Sequence, residues 1–343
     1  MSGTGDQSAE SPLRAAQNQF ADVIPLRVLH QVRVPLMDAV DRVVGVDVLA
    51  PTDVPPYPRA IVEGYLVHAA ETEGASETMP KRFKIVGRVE PGDPVCPPLG
   101  PGQAIEVVTG SLVHGGPVAI ARMWEATRNG DEISVSRPFP PHFFVEQQGC
   151  DLKKGAVCVA AGARLGPWEL ALLAGAGIGE VPVVERPRVA IFSCGNEVIP
   201  HTEPLTPGAI WDCNSIMLSA AVTNAGGVPR FVGIMRDDFD AFLSQLRAML
   251  GSNDMVLISG GTAAAGRDFV SDLIRAVGTL VVDGVPMRSG RPLIMGVAEG
   301  KPIVCVAGHP PEALRGFRLF GALAMNRLLG CTVPIPDDAP PTK

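Results

Sequence analysis

The sequence has no Cys-x-x-Cys pair, no cluster of lysines and arginines, no apolar run approaching the ~20 residues of a membrane span, and few aromatics, 5% of its positions. Each absence excludes something. Seven cysteines scattered at positions 96, 150, 158, 194, 213, 305 and 331 have neither metal-ligand spacing nor an even count, so they read as reduced thiols in a cytoplasm and not as a disulfide frame. A formal net charge of -7 without a basic patch argues against a general nucleic-acid binder, and an anionic small molecule would have to be held by local groups. The opening stretch, MSGTGDQSAESPLRAAQ, is polar and lacks the apolar centre of a signal peptide. The expectation is a cytoplasmic protein without membrane contact and with a disordered start over residues 1–20. Turns, by contrast, are abundant. The 33 prolines and 38 glycines call for many extended connections, and 343 residues suggest two or three domains.

The most informative stretch runs from Asp254 to Asp268, DMVLISGGTAAAGRD. Met255, Val256, Leu257 and Ile258 form an apolar run too short for a helix and without polar alternation, as a strand covered on both faces requires. Ser259, Gly260 and Gly261 then let the backbone come within contact distance of a ligand, and bare amides at a strand end suit an anionic oxygen. Helical spacing resumes at Phe269, Val270, Leu273, Ile274 and Val277, which puts Asp268 at a helix start, where a carboxylate caps free amides or faces a metal. Taken alone, a Gly-Gly pair after a strand is more often a plain turn, and Asp268 reads first as a cap.

Upstream, Val34 to Val54 predicts a short amphipathic helix carrying Leu36, Ala39, Val40, Val43 and Val44, with an extended exit through Pro51, Pro55 and Pro56. Glu63 beside Gly64 sits between apolar residues, where a lone glutamate usually marks only a turn. Residues 80–145 are strand-like runs separated by glycine, proline and Asn-Gly turns, the pattern of a small inserted β module in which Thr109 and Gly110 end one strand. Pro167, Trp168 and Glu169 start a helix that Gly175 and Gly177 stop. From Arg188 strand and helix alternate, the signature of an α/β fold with a mainly parallel sheet and helices on both faces. Ligands collect at the carboxyl ends of such strands. Those ends carry Ser193 to Glu197, Asp237 and Asp238, Ser259 to Asp268, and Gly308, His309 and Pro310.

Together these strings, from about Leu36 to Gly330, resemble the molybdopterin molybdenumtransferase family, which includes the C-terminal domain of gephyrin. The segment ending in Glu63, Gly64 and Tyr65 is similar to the family's opening segment, which ends in Asp-Gly-Tyr, and VVTG at Val107 to Gly110 resembles its Met-Thr-Gly loop. IFSCGNEV resembles Phe-Ser-Thr-Gly-Asp-Glu, keeping Glu197 and holding Asn196 in the aspartate's place. WDCNS resembles Tyr-Asp-Ser-Asn, keeping Asp212 and Asn214. SGGTAAAGRD resembles the pterin-phosphate loop, keeping Ser259, Gly260, Gly261 and Asp268 but with Ala263 for its serine and Ala265 for a glycine. MRSGRP resembles Lys-Pro-Gly-Lys-Pro, with Arg288 and Arg291 in the lysine positions around Gly290, and AGHPPEA resembles Pro-Gly-Asn-Pro-x-Ser at Gly308, His309 and Pro310. The family's carboxylate in the inserted module falls near Pro117, and its arginine-rich run is replaced by Val145 to Gln148.

The resemblance implies an enzyme of molybdenum cofactor biosynthesis that takes adenylylated molybdopterin and molybdate, uses Mg2+, and releases AMP. It implies Glu63, Glu197, Asp237 and Asp268 as the catalytic carboxylates, with Asp237 and Asp268 on the metal. Thr109, Gly110, Asp212, Asn214, Ser259, Gly260, Gly261, Arg288, Gly290, Arg291, Gly308, His309 and Pro310 would hold pterin, phosphate and molybdate. It implies a homodimer in which Glu63 and Thr109 serve the neighbour's crevice, with other molybdenum cofactor biosynthesis proteins or a target molybdoenzyme as further partners. The other reading is a catalytically weakened paralogue that carries molybdopterin or molybdenum cofactor. The expected layout is an elongated linker domain over 21–56 and 145–186, an inserted β-rich domain over 57–144, the molybdopterin-binding domain over 187–331 and a tail over 332–343, without the C-terminal β-domain of bacterial members.

Overall fold

The computed structural model describes residues 11–26, 29–261, 268–287 and 290–331, the side chains of 268, 286, 287 and 290 excepted. Two compact units emerge, one drawn from Met1–Val46, Ala160–Gly166 and Glu180–Lys343, the other from Asp47–Val159 and Pro167–Gly179. The segments expected to form one linker domain are thus divided between the two.

The first unit is built on a six-stranded sheet in the order Val228–Met235, Arg188–Cys194, Met255–Ser259, Lys301–Val306, Gly290–Ala298, Thr279–Met287. The first four strands are mutually parallel and the last two pair antiparallel, so the sheet is mainly parallel as expected. The unalternated apolar runs have a simple cause. Ile191, Leu257 and Val304 face one core with Leu218, Val222, Phe320 and Leu323, while Ala190, Phe192, Val256 and Ile258 face a second with Phe242, Leu246, Leu273 and Ile274. Each strand position is therefore covered by helices on one face or the other. Because the four strands are parallel and in register, their ends at Cys194, Met235, Ser259 and Val306 share one rim.

Two expectations are revised here. Residues 12–20 are not disordered but belong to the helix Pro12–Val23, started by Ser11, whose side chain accepts from the Arg14 amide. Phe20 is fully buried in the first core, 6.3 Å from the Phe320 ring. The apolar face of this helix is worth more than the polar composition of its surroundings suggested. The helix expected across Leu36 to Val44 shrinks to one 3-10 turn, Leu36–Ala39. Asp41 adopts a left-handed φ of 58° that ends it, and Val43 and Val44 are buried instead through β-bridges to Arg164 and Val183. Helical spacing over five positions did not distinguish the two outcomes.

The second unit holds another six-stranded sheet, ordered Val118–Arg122, Gly64–His68, Gln103–Val107, Lys81–Val89, Glu132–Val135, Ala126–Asn129. Gly130 and Asp131 make the hairpin turn between its last two strands, with Gly130 at φ +64°. Glu125 in this unit accepts from Arg122 Nη2 at 2.8 Å and Nε at 2.9 Å and is also paired with Arg137. These bonds, Arg122's foremost, outweigh burial and lower its pKa from 4.5 to about 2. A carboxyl with a depressed folded-state pKa contributes its stability fully above about pH 4.5 and loses it as pH falls towards 2. The contribution is at most on the order of 3 kcal/mol, since both arginines are partly solvated. Glu125→Gln is expected to be less stable at neutral pH and to show a flatter stability profile between those values in urea unfolding. Parallel profiles for the two proteins would remove this pairing from the acid limb.

Candidate functional site

The shared rim of the parallel strands holds a cavity of about 320 Å³. Asn214, the first residue of the helix Asn214–Asn224, organises its floor. Its side-chain amide donates to Ser259 Oγ at 2.8 Å and to the Gly308 carbonyl at 2.7 Å, tying the end of one central strand to the loop that follows its neighbour. Ser259 Oγ in turn donates to the Ala307 carbonyl at 3.3 Å. Asp212 starts the same helix by accepting from the Ser215 amide at 3.0 Å. Its second oxygen and the Ser193 hydroxyl are buried without a partner among the described residues.

The glycines have specific work. Gly260 has φ +87°, and a Cβ there would fall 2.8 Å from the Cys194 carbonyl oxygen. Gly195 has φ +141°, and a Cβ would fall 2.8 Å from Glu197 Oε2. Gly260 therefore takes glycine for conformation and for space, and Gly195 for conformation, since the Glu197 carboxylate could move aside. The expectation of bare amides at the double glycine is corrected in part: the Gly260 amide is spent on the Val306 carbonyl at 3.1 Å, which leaves Gly261, at φ +77°, without an amide partner among the described residues. His309 caps the helix Pro310–Gly316 through its backbone carbonyl, which accepts from Glu312 and Ala313.

Several predicted residues come together around this cavity: Glu197, Asp212, Asn214, Ser259, Gly308, His309 and Pro310 line it. Asp237 lies two residues past the end of the neighbouring parallel strand Val228–Met235, where it accepts from Asn196 Nδ2 at 2.9 Å. Asp238 beside it caps the helix Phe239–Ser252 through the Ala241 amide at 3.0 Å. Arg291 is committed differently from expectation. Its guanidinium donates twice to the Gly284 carbonyl, at 3.1 and 2.6 Å, bracing the hairpin that Gly290 opens. Asp268 begins the helix Asp268–Val277 as predicted, but its side chain, together with Arg288, lies outside the described residues. Glu63, Thr109 and Gly110 meet in the second unit. Thr109 Oγ1 donates to Glu63 at 3.2 Å, and the Gly110 amide bonds the Ala60 carbonyl at 2.8 Å.

The apolar wall was not foreseen as part of the site. Val198, Ile210, Trp211 and Cys213 line the cavity, and the half-exposed Trp211 indole is held by its Nε1 donating to the Glu203 carbonyl at 2.9 Å. The available signal was Trp211 itself, the residue before Asp212. Two cysteines complete the surroundings without chemistry of their own. Burial pushes Cys305 up to about 12 and, with Cys305 adding to burial, Cys194 well above the usual thiol value, so neither is a thiolate at neutral pH.

The sequence matches two family descriptions, "MoeA N-terminal region (domain I and II)" over residues 11–177 and "Probable molybdopterin binding domain" over residues 190–327. It is 31% identical over 319 residues to molybdopterin molybdenumtransferase 2 of Mycobacterium tuberculosis, covering 90% of this chain and 78% of the relative. The chain belongs to the molybdopterin molybdenumtransferase family. It is also 30% identical over 293 residues to the Bacillus subtilis molybdopterin molybdenumtransferase, covering 84% and 68%. The crystal structure of a molybdopterin biosynthesis MoeA protein from Pyrococcus horikosii superposes with a TM-score of 0.75 at 34% identity, covering 93% of this chain and 80% of that one. Membership makes the protein a transferase of molybdenum cofactor biosynthesis. Among the described residues no helix is long and apolar enough to cross a membrane.

Proposed function

We propose that this transferase inserts molybdate into adenylylated molybdopterin and releases AMP. The observation that carries the reading is the rim cavity, where Asn214 joins Ser259 to Gly308 beside Glu197 and Asp212. The pterin lies against the Trp211 wall, and the terminal phosphate approaches the Gly261 amide at the strand end. Magnesium is a hard cation that prefers carboxylate oxygens. Asp237 fits it, because Asn196 engages only Oδ2 and Oδ1 has no partner among the described residues. Asp268 would be the second ligand, and the ion supplies charge neutralisation at the phosphoanhydride. Arg291 stiffens the hairpin through Gly284, leaving Arg288 to clamp the molybdate oxyanion. In a homodimer, Glu63 and Thr109 contribute to the partner's cavity.

A second reading, a carrier with little turnover, is favoured by the engagement of Arg291 and by Asn196 standing where the family has an aspartate. One assay separates them. The purified chain is expected to release AMP from adenylylated molybdopterin only when molybdate and Mg2+ are both present, and Asp268→Asn is expected to stop that release while leaving the circular dichroism unchanged. Tight pterin binding with no AMP under those conditions would establish the carrier and end the proposal of turnover.

A further inference from the structure

The same sheet has a second cleft, of about 760 Å³, at the rim where its parallel strands begin. Arg188 and Lys301 are the first residues of their strands and Asp254 immediately precedes a third, so this cleft lies at the end of the sheet opposite the pterin cavity. Its charged lining is Arg42, Arg186, Arg188 and Lys301 against only Glu185 and Asp254, an excess of positive charge in a chain whose net charge is -7. A cleft of one sign concentrates field and counter-ions even when the whole molecule carries the other.

The commitments of these groups are unequal. Asp254 accepts from the Arg188 amide at 2.8 Å and lies 3.5 Å from Arg188 Nε, so it balances that residue. Lys301 donates to the Leu250 carbonyl, and Arg42 gives one nitrogen to the Val184 carbonyl at 2.8 Å. Arg186 is exposed and has no hydrogen-bonding partner among the described residues. Burial and then the nearness of Arg186 hold the Arg42 guanidinium below its ordinary value, against a smaller opposing effect of Glu185. Two guanidinium groups crowded into one concave wall, with one of them unspent, form a fork for an oxyanion.

We infer that this opposite cleft is a binding site for a small multivalent oxyanion of the diphosphate type. Four cations, Arg42, Arg186, Arg188 and Lys301, against two carboxylates, Glu185 and Asp254, leave the lining with a net charge of +2, and Arg186 beside Arg42 is the contact that a multivalent oxyanion takes first. The site is independent of the reaction proposed for the pterin cavity.

The test is calorimetric titration of the full chain with inorganic pyrophosphate in Mg2+-free buffer. Wild type is expected to bind, and Arg186→Glu to bind about tenfold more weakly or worse, the loss expected when a charge-assisted contact is removed and reversed. Arg186→Lys should fall between them, because it keeps the charge and loses the fork. Hydrogen exchange should show pyrophosphate protecting the amides of Glu185, Arg186 and Arg188 and not those of 259–261, with Arg186→Glu retaining the wild-type AMP release. No binding by wild type, equal affinity in Arg186→Glu, or protection confined to 259–261 would each overturn the assignment.

Discussion

Gly260→Val is expected to abolish pterin binding and to destabilise the α/β unit by several kcal/mol. A β-branched residue at φ +87° costs about 1–3 kcal/mol in backbone strain alone. The new Cβ would also sit 2.8 Å from the carbonyl oxygen of Cys194, a main-chain atom inside a central strand that cannot swing away as a side chain would. The only relief is to move the strand end, which takes Ser259 and the Gly260 bond to Val306 with it. Gly251→Ala serves as the control: it lies in the helix Phe239–Ser252 with nothing near its Cβ position, so it should be neutral or stabilising by up to about 1 kcal/mol. Urea unfolding and fluorescence titration with molybdopterin measure both effects. Unchanged binding in Gly260→Val would mean that the double glycine is a turn with no part in the site.

Asn214→Ala should lose about 2–3 kcal/mol and weaken molybdopterin binding about tenfold or more. The cost comes less from the two bonds than from what they leave behind, a buried Ser259 hydroxyl and a Gly308 carbonyl that each lose a donor. Asn214→Asp is the sharper variant. It preserves volume but presents two acceptors to the Gly308 carbonyl, so it should be at least as damaging as alanine. Full binding by the aspartate variant would show that donation to Gly308 does not set the shape of the cavity.

Much of this architecture was legible because strands covered on both faces write an unmistakable signature. The runs at Met255 to Ile258 and Val189 to Phe192 have no polar alternation, and the two separate cores on which their alternate residues close explain why. Strand ends followed by glycine or acidic residues were equally readable, and parallel pairing gathered Glu197, Asp237, Ser259 and Gly308 onto one rim. What escaped was decided by tertiary partners. The Gly260 amide looks bare in a string of letters and is occupied by Val306, a residue 46 positions away. Arg291 looks like an oxyanion ligand, and the hairpin folds the Gly284 carbonyl against its Nε and Nη2, a bond that the string of letters does not show. The anion cleft at the opposite rim was invisible for the same reason, since Arg42, Arg186 and Lys301 form no cluster until the sheet assembles them.

The helix near the start of the chain has a consequence for synthesis. Phe20 packs against Phe320, Gln17 donates to the Leu319 carbonyl, Gln19 to that of Val281, and Arg327 to that of Ile24, so this helix completes a core whose other wall is synthesised some 300 residues after it, the Gln17 and Arg327 bonds spanning 302 and 303 positions. Until residues 319–327 have emerged, that apolar stripe has nothing to close on. Folding of this unit is therefore governed by contacts of very long loop length, and a nascent chain arrested before residue 320 should remain open to protease at Phe20.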